Sequence, residues 1–506
     1  MPYNLVTTRE KGHPMTTIAF QNEFRPALPV VFGAKDYREF RTTIEEMDRI
    51  LTTTGIEHQM IVQHVKSPGR SDDSIPRNYN QQYKALRLAL RYSILLGITG
   101  LSYRKLSHRV ADSAIFQWFT HTSAIDGVRP VSKSSIERFE KIFSGDDIAQ
   151  LIHDLNKTVC DAVGAQELLK QQTALRFDEV FADTTCVKSN IHFPVDWVLL
   201  RDACRTLIKA IDLIRSQGLK HRISKPGKFL LDMNKLCIEM THVRKKKGAK
   251  KMRKTIFRRM KRLTKTVENH ARNYYHLLQS RWQQTYWSEL EALQVLKRIK
   301  NVLDQLPHAV YQAHERLIGE RRVANKDKIL SLYESDAHVL LRGKAQAEVE
   351  FGNGLYLAEQ VNGLIVDWQF IKEQPPGDNT LVGDSIKRIT ETYGSPQSYT
   401  GDRGFDSSTN RTNLETANII NAICPRSVVQ LKERLEDDYF CQLQKRRGST
   451  EARIAILKNA YLGTPLRNKG FKNRKTRIEW CILAHNLWKL ARMAAQNTIE
   501  DKKSPD

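Results

Sequence analysis

No two of the seven cysteines (Cys160, Cys186, Cys204, Cys237, Cys424, Cys441, Cys481) fall at Cys-x-x-Cys spacing. That scatter suggests neither a zinc site nor a disulfide framework, and it fits a reducing cytoplasm. A Gly-x-x-x-x-Gly-Lys-Ser/Thr loop is also missing, so ATP hydrolysis is not expected to supply energy and no nucleotide cofactor is expected. No apolar run approaches the roughly 20 residues of a membrane span. The first residues lack the basic-then-apolar plan of a secretory leader. No internal repeat is visible. Acid is the scarce charge: 56 Asp and Glu stand against 81 Lys and Arg, a net charge of +25 over 506 residues. Such a balance fits a polyanionic partner, nucleic acid above all. Hydrophobic residues make up 40%, enough for the cores of two to four domains.

The first 80 residues are mixed, with a helix expected at about 36–53, broken at Gly55, and a linker at 67–80 carrying Pro68, Gly69 and Pro76. Residues 81–172 read as helical. A first apolar helix holds Leu86, Leu90 and Ile94, a second runs from Tyr103 to Phe119, a third covers about 133–143, and a fourth runs from Gly145 to about Gln171. The third opens on Ser132-Lys133-Ser134-Ser135, followed by Arg138. A polar, basic start after a turn suits a recognition helix in a DNA groove, and equally an ordinary capped helix in a bundle. Residues 197–335 read mostly as long helices. Within them lie Lys245, Lys246, Lys247, Lys250 and Lys251, a run too dense for an ordinary solvated face and better suited to tracking phosphates.

Strand signals come in two places. Phe177 to Ala182 is a short apolar run, and Asp183 follows where that strand is expected to leave the core. Residues 337–424 give further strands, with Gly352-Asn353-Gly354 and Asn362-Gly363 expected as hairpin turns. A strand then leads to Asp402, and Glu451 sits on a helix running to about Tyr461, with Ser449 as its expected N-cap. Two aspartates at strand ends and a glutamate on a following helix suit two Mg²⁺ ions, which take carboxylate oxygens and clamp the attacking and leaving oxygens of a phosphoryl transfer. The histidines show no ligand spacing. Asp196 and Asp378 are placed either near the metals or as turn and N-cap acids. Trp480 and Trp488, eight apart on one helix face, read as core.

The residues around these acids resemble the DDE transposases of bacterial insertion sequences. Arg447, three residues, Glu451, six residues and Lys458 match the Tyr-(2)-Arg-(3)-Glu-(6)-Lys signature of one superfamily, with Gln444 where the tyrosine stands. Asp183-Thr184-Thr185 running into Asn190 to Asp196, Glu350-Phe351-Gly352, Gly401-Asp402-Arg403-Gly404-Phe405 and Asn486-Leu487 are similar too, and the ISNCY-type subgroup is the nearer likeness. The likeness covers roughly residues 80–495. It implies an α/β multidomain chain with a ribonuclease-H-like catalytic core, residues 173–196 plus 336–495. The segment 1–80 would lead into a helical DNA-binding domain at 81–172, and 496–506 would be a tail. Because 219 positions separate Asp183 from Asp402 but only 49 separate Asp402 from Glu451, residues 197–335 are read as a helical insertion.

The resemblance further implies Asp183, Asp402 and Glu451 as catalytic metal ligands for two Mg²⁺ ions, with Mn²⁺ able to substitute. Arg447, Lys458, the lysine run, Lys133 and Arg138 would contact DNA. The reaction would free a 3′-OH at a transposon end and join it to target double-stranded DNA, an exchange near isoenergetic. Ends must be paired, so a homodimer or larger synaptic complex is expected, in the bacterial cytoplasm at the nucleoid. A catalytically silent DNA-binding descendant and a metal-dependent nuclease that cuts without joining are the alternatives.

Overall fold

The computed structural model describes residues 25–65, 79–124, 126–223, 225–243, 247–344 and 347–501. Lys245, Lys246 and most of the expected linker at 67–80 lie outside them. The chain is mixed α/β, and no single described helix is long and apolar enough to cross a membrane.

The first part is helical: α1 (Lys35–Thr53), α2 (Ile56–Val65), α3 (Tyr79–Thr99), α4 (Tyr103–Asp112) and α5 (Ala114–Thr120). A two-stranded ribbon, β1 (Ser123–Ala124) and β2 (Gly127–Val128), precedes α6 (Lys133–Phe139), α7 (Gly145–Cys160) and α8 (Ala162–Leu169). Two expected helices are each split in two. The Ser113 hydroxyl accepts the Phe116 N–H, ending α4 and capping α5. Asp161 likewise accepts the Gly164 N–H between α7 and α8. Short polar side chains that bond nearby backbone compete with helix continuation.

β3 (Glu179–Lys188) begins the main sheet. A four-helix excursion follows: α9 (Asp196–Ser216), α10 (Pro226–His242), α11 (Ala249–Arg281) and α12 (Glu289–His314). These helices bury a core of their own, including Leu207, Ile211, Phe257, Val267, Ile299 and Leu306. Asp196 is an anchor here rather than a metal-side acid. Its buried carboxylate accepts from Gln312 Nε2 at 2.9 Å and pairs with Arg316, joining the start of α9 to the end of α12.

The chain returns as β4 (His338–Lys344), β5 (Ala347–Gln360) and β6 (Ile365–Phe370). Then come α13 (Val382–Tyr393), β7 (Ser398–Gly401), α14 (Ser408–Thr416), β8 (Ile420–Ile423), α15 (Val428–Arg434), α16 (Asp438–Ile456) and α17 (Phe471–Asp501). Across the sheet the order is β6-β5-β3-β7-β8, with β4 beside the first half of β5. β5 is antiparallel to β3, β4 and β6, while β7 is parallel to both β3 and β8. Gly352 pairs with Lys188 on one side and His338 on the other.

The expected hairpin at Gly352-Asn353-Gly354 is absent, and β5 runs straight through it. A Cβ on residue 352 would meet Val187 O at 2.1 Å, so glycine is there for close approach, not for a turn. Asn353 is fully buried and its amide donates to Asp336 O and Ile371 O. The Asn362-Gly363 turn forms, with the Gly363 N–H donated to Gln360 O.

One core joins the N-terminal helices to the sheet, and α17 runs through it with Trp480, Leu483, Leu487 and Leu490 fully buried. Trp488 packs against this core beside Phe40, so both tryptophans are core residues. Asn486 pairs with Ile365 as a strand would: its Oδ1 accepts the Ile365 N–H and its Nδ2 donates to Ile365 O. That bond pair satisfies an edge strand buried against a helix.

Candidate active site

Parallel pairing of β3 with β7 matches Phe181 to Thr400. Two positions on from this last pair come Asp183, within β3, and Asp402, just past the end of β7, so both aspartates follow from one level of the sheet. Asp183 lies within β3 rather than at its exit, because pairing with β5 continues to Lys188. β7 stops at Gly401, and Asp402 turns back to cap the next residues, its Oδ1 accepting the Gly404 N–H at 2.8 Å. Asp183 Oδ1 accepts the Thr184 N–H at 2.7 Å.

Burial pushes the Asp183 carboxyl up to about 6, and the negative charges of Asp402 and Glu451 push the same way. The Thr184 N–H and the Arg447 guanidinium act against them. The other two expected acids, and the expected arginine, therefore act on the carboxyl of the first.

Glu451 is carried by α16, and the helix differs from expectation. It starts eleven residues before Ser449 and is capped by Asp437, whose Oδ1 accepts from Tyr439 and Phe440. Ser449 is mid-helix. Tertiary anchoring explains how the helix passes through Gly448, a residue costing about 1 kcal/mol against alanine. Arg446, Thr450 and Arg453 share one face, and all three bond the carboxylate of Glu359 on β5, which is 3% exposed. The Arg446 guanidinium also lies 4.6 Å over the Phe181 ring. With that face fixed, the neighbouring face carries Arg447 and Glu451, whose charges both reach Asp183 within β3.

Arg447 Nη1 donates to Glu451 Oε1 at 2.7 Å, and Arg447 Nε donates to Gln444 Oε1 at 3.3 Å. Gln444 Nε2 in turn donates to Gly401 O and Ala422 O, at the ends of β7 and β8. Lys458 lies in a wider helical turn, Leu457–Leu462, and its Nζ donates to Thr185 Oγ1 at 3.1 Å. Asp378 also reaches the site. A Cβ on residue 404 would stand 2.8 Å from Asp378 Oδ2 and 2.9 Å from Asp402 Oδ1, so any larger residue there would have to push one of the two carboxylates aside.

The remaining expected DNA contacts on described residues lie on other elements. Lys133 and Arg138 are exposed on α6, with Arg138 Nη2 donating to Ser135 Oγ. Lys247 and Lys251 are exposed, while Lys250 and Lys254 both pair with Glu320. Those two ion pairs lower the Glu320 carboxyl to about 2. The basic run is thus partly neutralised within the chain.

Two contributors carry little signal in the sequence. Glu359 is visible there only as a lone acid in the apolar run Leu355 to Val361, and Gln444 only as a departure from tyrosine. Among the described residues no three His, Cys, Asp or Glu side chains form a ready metal-holding group. In kind, though, the donors suit Mg²⁺, which takes hard carboxylate oxygens and retains waters. Burial and the charges of Asp402 and Glu451 all raise the Asp183 carboxyl, and the Glu451 side chain is 57% exposed beside Arg447. Compared with protein-family models, with curated proteins and with solved structures, the chain matches none.

Proposed function

We propose that the chain is a DDE transposase, which cleaves double-stranded DNA at the ends of a mobile element and joins the 3′ ends to target DNA. The observation that carries this reading is the β3–β7 register, whose last pair, Phe181 and Thr400, stands two positions before Asp183 and Asp402, while Asp402 and Glu451 both act on the Asp183 carboxyl. The sheet supports it as well. Three antiparallel strands followed by two parallel ones, in the order β6-β5-β3-β7-β8, is the plan of a ribonuclease-H-like core.

Asp183, Asp402 and Glu451 would hold two Mg²⁺ ions, which supply activation of a water and stabilisation of the leaving oxygen. The chain's own contribution is positioning. The Glu359 anchor fixes the helix that bears Glu451, and Asp402 is fixed by the Gly404 N–H. Arg447 and Lys458 bracket the acids with positive charge where a DNA phosphate would lie. Hydrolysis breaks one phosphodiester P–O bond and leaves a 3′-OH. That hydroxyl then attacks a target phosphodiester and displaces another 3′ oxygen, so no nucleotide is consumed. Pairing of two ends calls for a homodimer or larger assembly.

The test uses purified protein, Mg²⁺ and a labelled duplex carrying the ends of the DNA segment that encodes the chain. Cleavage and joined products are expected, both lost in Glu451→Gln with DNA binding retained. Cleavage without joining would point to a nuclease, and binding without cleavage in Mg²⁺ and Mn²⁺ to a silent descendant.

A further inference from the structure

Every polar atom of the Gln444 amide has a partner, and the partners lie on three different elements. Its two N–H groups meet Gly401 O at 3.2 Å and Ala422 O at 2.6 Å, and its carbonyl accepts from Arg447 Nε. The amide has only one workable orientation. Flipped, its oxygen would face two carbonyl oxygens and its NH₂ would face a guanidinium, with no donor matched to an acceptor. Gly401 directly precedes Asp402, and Arg447 directly contacts Glu451. A continuous path of hydrogen bonds therefore runs from the backbone of the strand bearing one proposed ligand to the carboxylate of another.

We infer that Gln444 is a positioning residue of this site: it fixes the Glu451 helix against the Asp402 strand and transmits that fixed spacing to Glu451 through Arg447. The inference rests on the metal-site reading of the three acids. Tyrosine, the residue of the related signature at this place, has one hydroxyl proton and could satisfy only one of the two carbonyls. Glutamine serves both strand ends and still accepts from the arginine. Residues behind a metal ligand typically change metal affinity about 10–100-fold when removed, because they orient the ligand rather than supply it.

The experiment measures Mn²⁺ binding to the full-length chain by electron paramagnetic resonance, and DNA affinity separately by fluorescence anisotropy. Wild type and Glu451→Gln come first, to establish binding that depends on the acids. Gln444→Met and the isosteric Gln444→Glu follow, each also in an Arg447→Gln background. The expected result is Mn²⁺ affinity weakened about tenfold or more by either change, with DNA affinity within about twofold of wild type. In the Arg447→Gln background the further loss should be small, because the path is already cut. Gln444→Glu keeps the side-chain volume, so a folding failure of Gln444→Met leaves the measurement possible. Unchanged Mn²⁺ affinity, or an equal loss with and without Arg447, overturns this inference and leaves the metal-site reading standing. Wild-type Mn²⁺ binding indifferent to Glu451→Gln overturns both.

Discussion

The Lys458 ammonium donates to the Thr185 hydroxyl at 3.1 Å, across 273 positions of chain. It reaches β3 two residues past Asp183, so a basic side chain stands beside the most perturbed carboxyl of the site. Lys458→Met should weaken DNA binding by no more than about 1 kcal/mol, the scale of one solvent-facing charge contact, yet reduce cleavage by about a hundredfold if the ammonium braces the scissile phosphate. Single-turnover cleavage and anisotropy on the same duplex check this. Equal losses in both would reduce Lys458 to a general phosphate contact.

Asp183 gives a pH prediction whose sign is fixed. Its carboxyl ionises at about 6 in the folded chain against an ordinary 3.8. Between these values the folded state binds the extra proton, so this group's contribution to stability falls as pH rises through the window. In EDTA at pH 7.5, Asp183→Asn should therefore be more stable than the parent by about 3 kcal/mol. The difference should vanish below about pH 4, where both states are protonated in the parent. Urea unfolding at pH 7.5, 5.5 and 4 measures it. A parent as stable as the variant at pH 7.5 would contradict the raised ionisation.

Glu359 should be a stability residue with a catalytic phenotype. Glu359→Gln leaves Arg446 and Arg453 without the carboxylate that both now share. Removing one partner of a buried ion network costs about 3–5 kcal/mol. The denaturation midpoint should fall accordingly, and cleavage should drop further than the folded fraction does, because α16 loses its register. A destabilisation below about 1 kcal/mol would show that the helix is held by apolar packing instead.

On the basic helix α11 the structure separates two groups of charges. Lys251, Arg258, Lys261 and Arg262 are exposed, whereas Lys250 and Lys254 are engaged by Glu320. Replacing the first four with glutamine should lower the slope of log affinity against log salt by up to about 0.9 for each DNA phosphate no longer neutralised. Lys250→Gln alone should move it by much less. A slope unchanged by the fourfold variant would reduce this face to ordinary solvation.

The acids are legible in the sequence because each falls in a short local motif, and the helices because apolar spacing is local too. What escapes depends on neighbours distant in sequence. Gly352 and Gly354 look like a turn until Val187 O is known to press against residue 352. Gly448-Ser449 looks like a helix start until Glu359, 91 positions from Thr450, is known to hold that helix on both sides of Gly448. Asp196 reads as a possible site acid until Arg316 and Gln312 close on it. Asp378, readable in two roles, lies with Asp402 around Gly404, a closeness that only the fold shows.

Gly352 also says something about the architecture as a whole. Lys188, where β3 ends, and His338, where β4 begins, are its two lateral neighbours. They are thus two strand spacings apart, about 10 Å. The whole four-helix excursion leaves and re-enters through a gap that a loop of a few residues would span. In engineering terms it is a cassette with a single port: the thread of the strands that carry Asp183 and Asp402 is the same whatever lies between Lys188 and His338, and Glu334, which pairs with buried Arg474, is the part of it tied to α17.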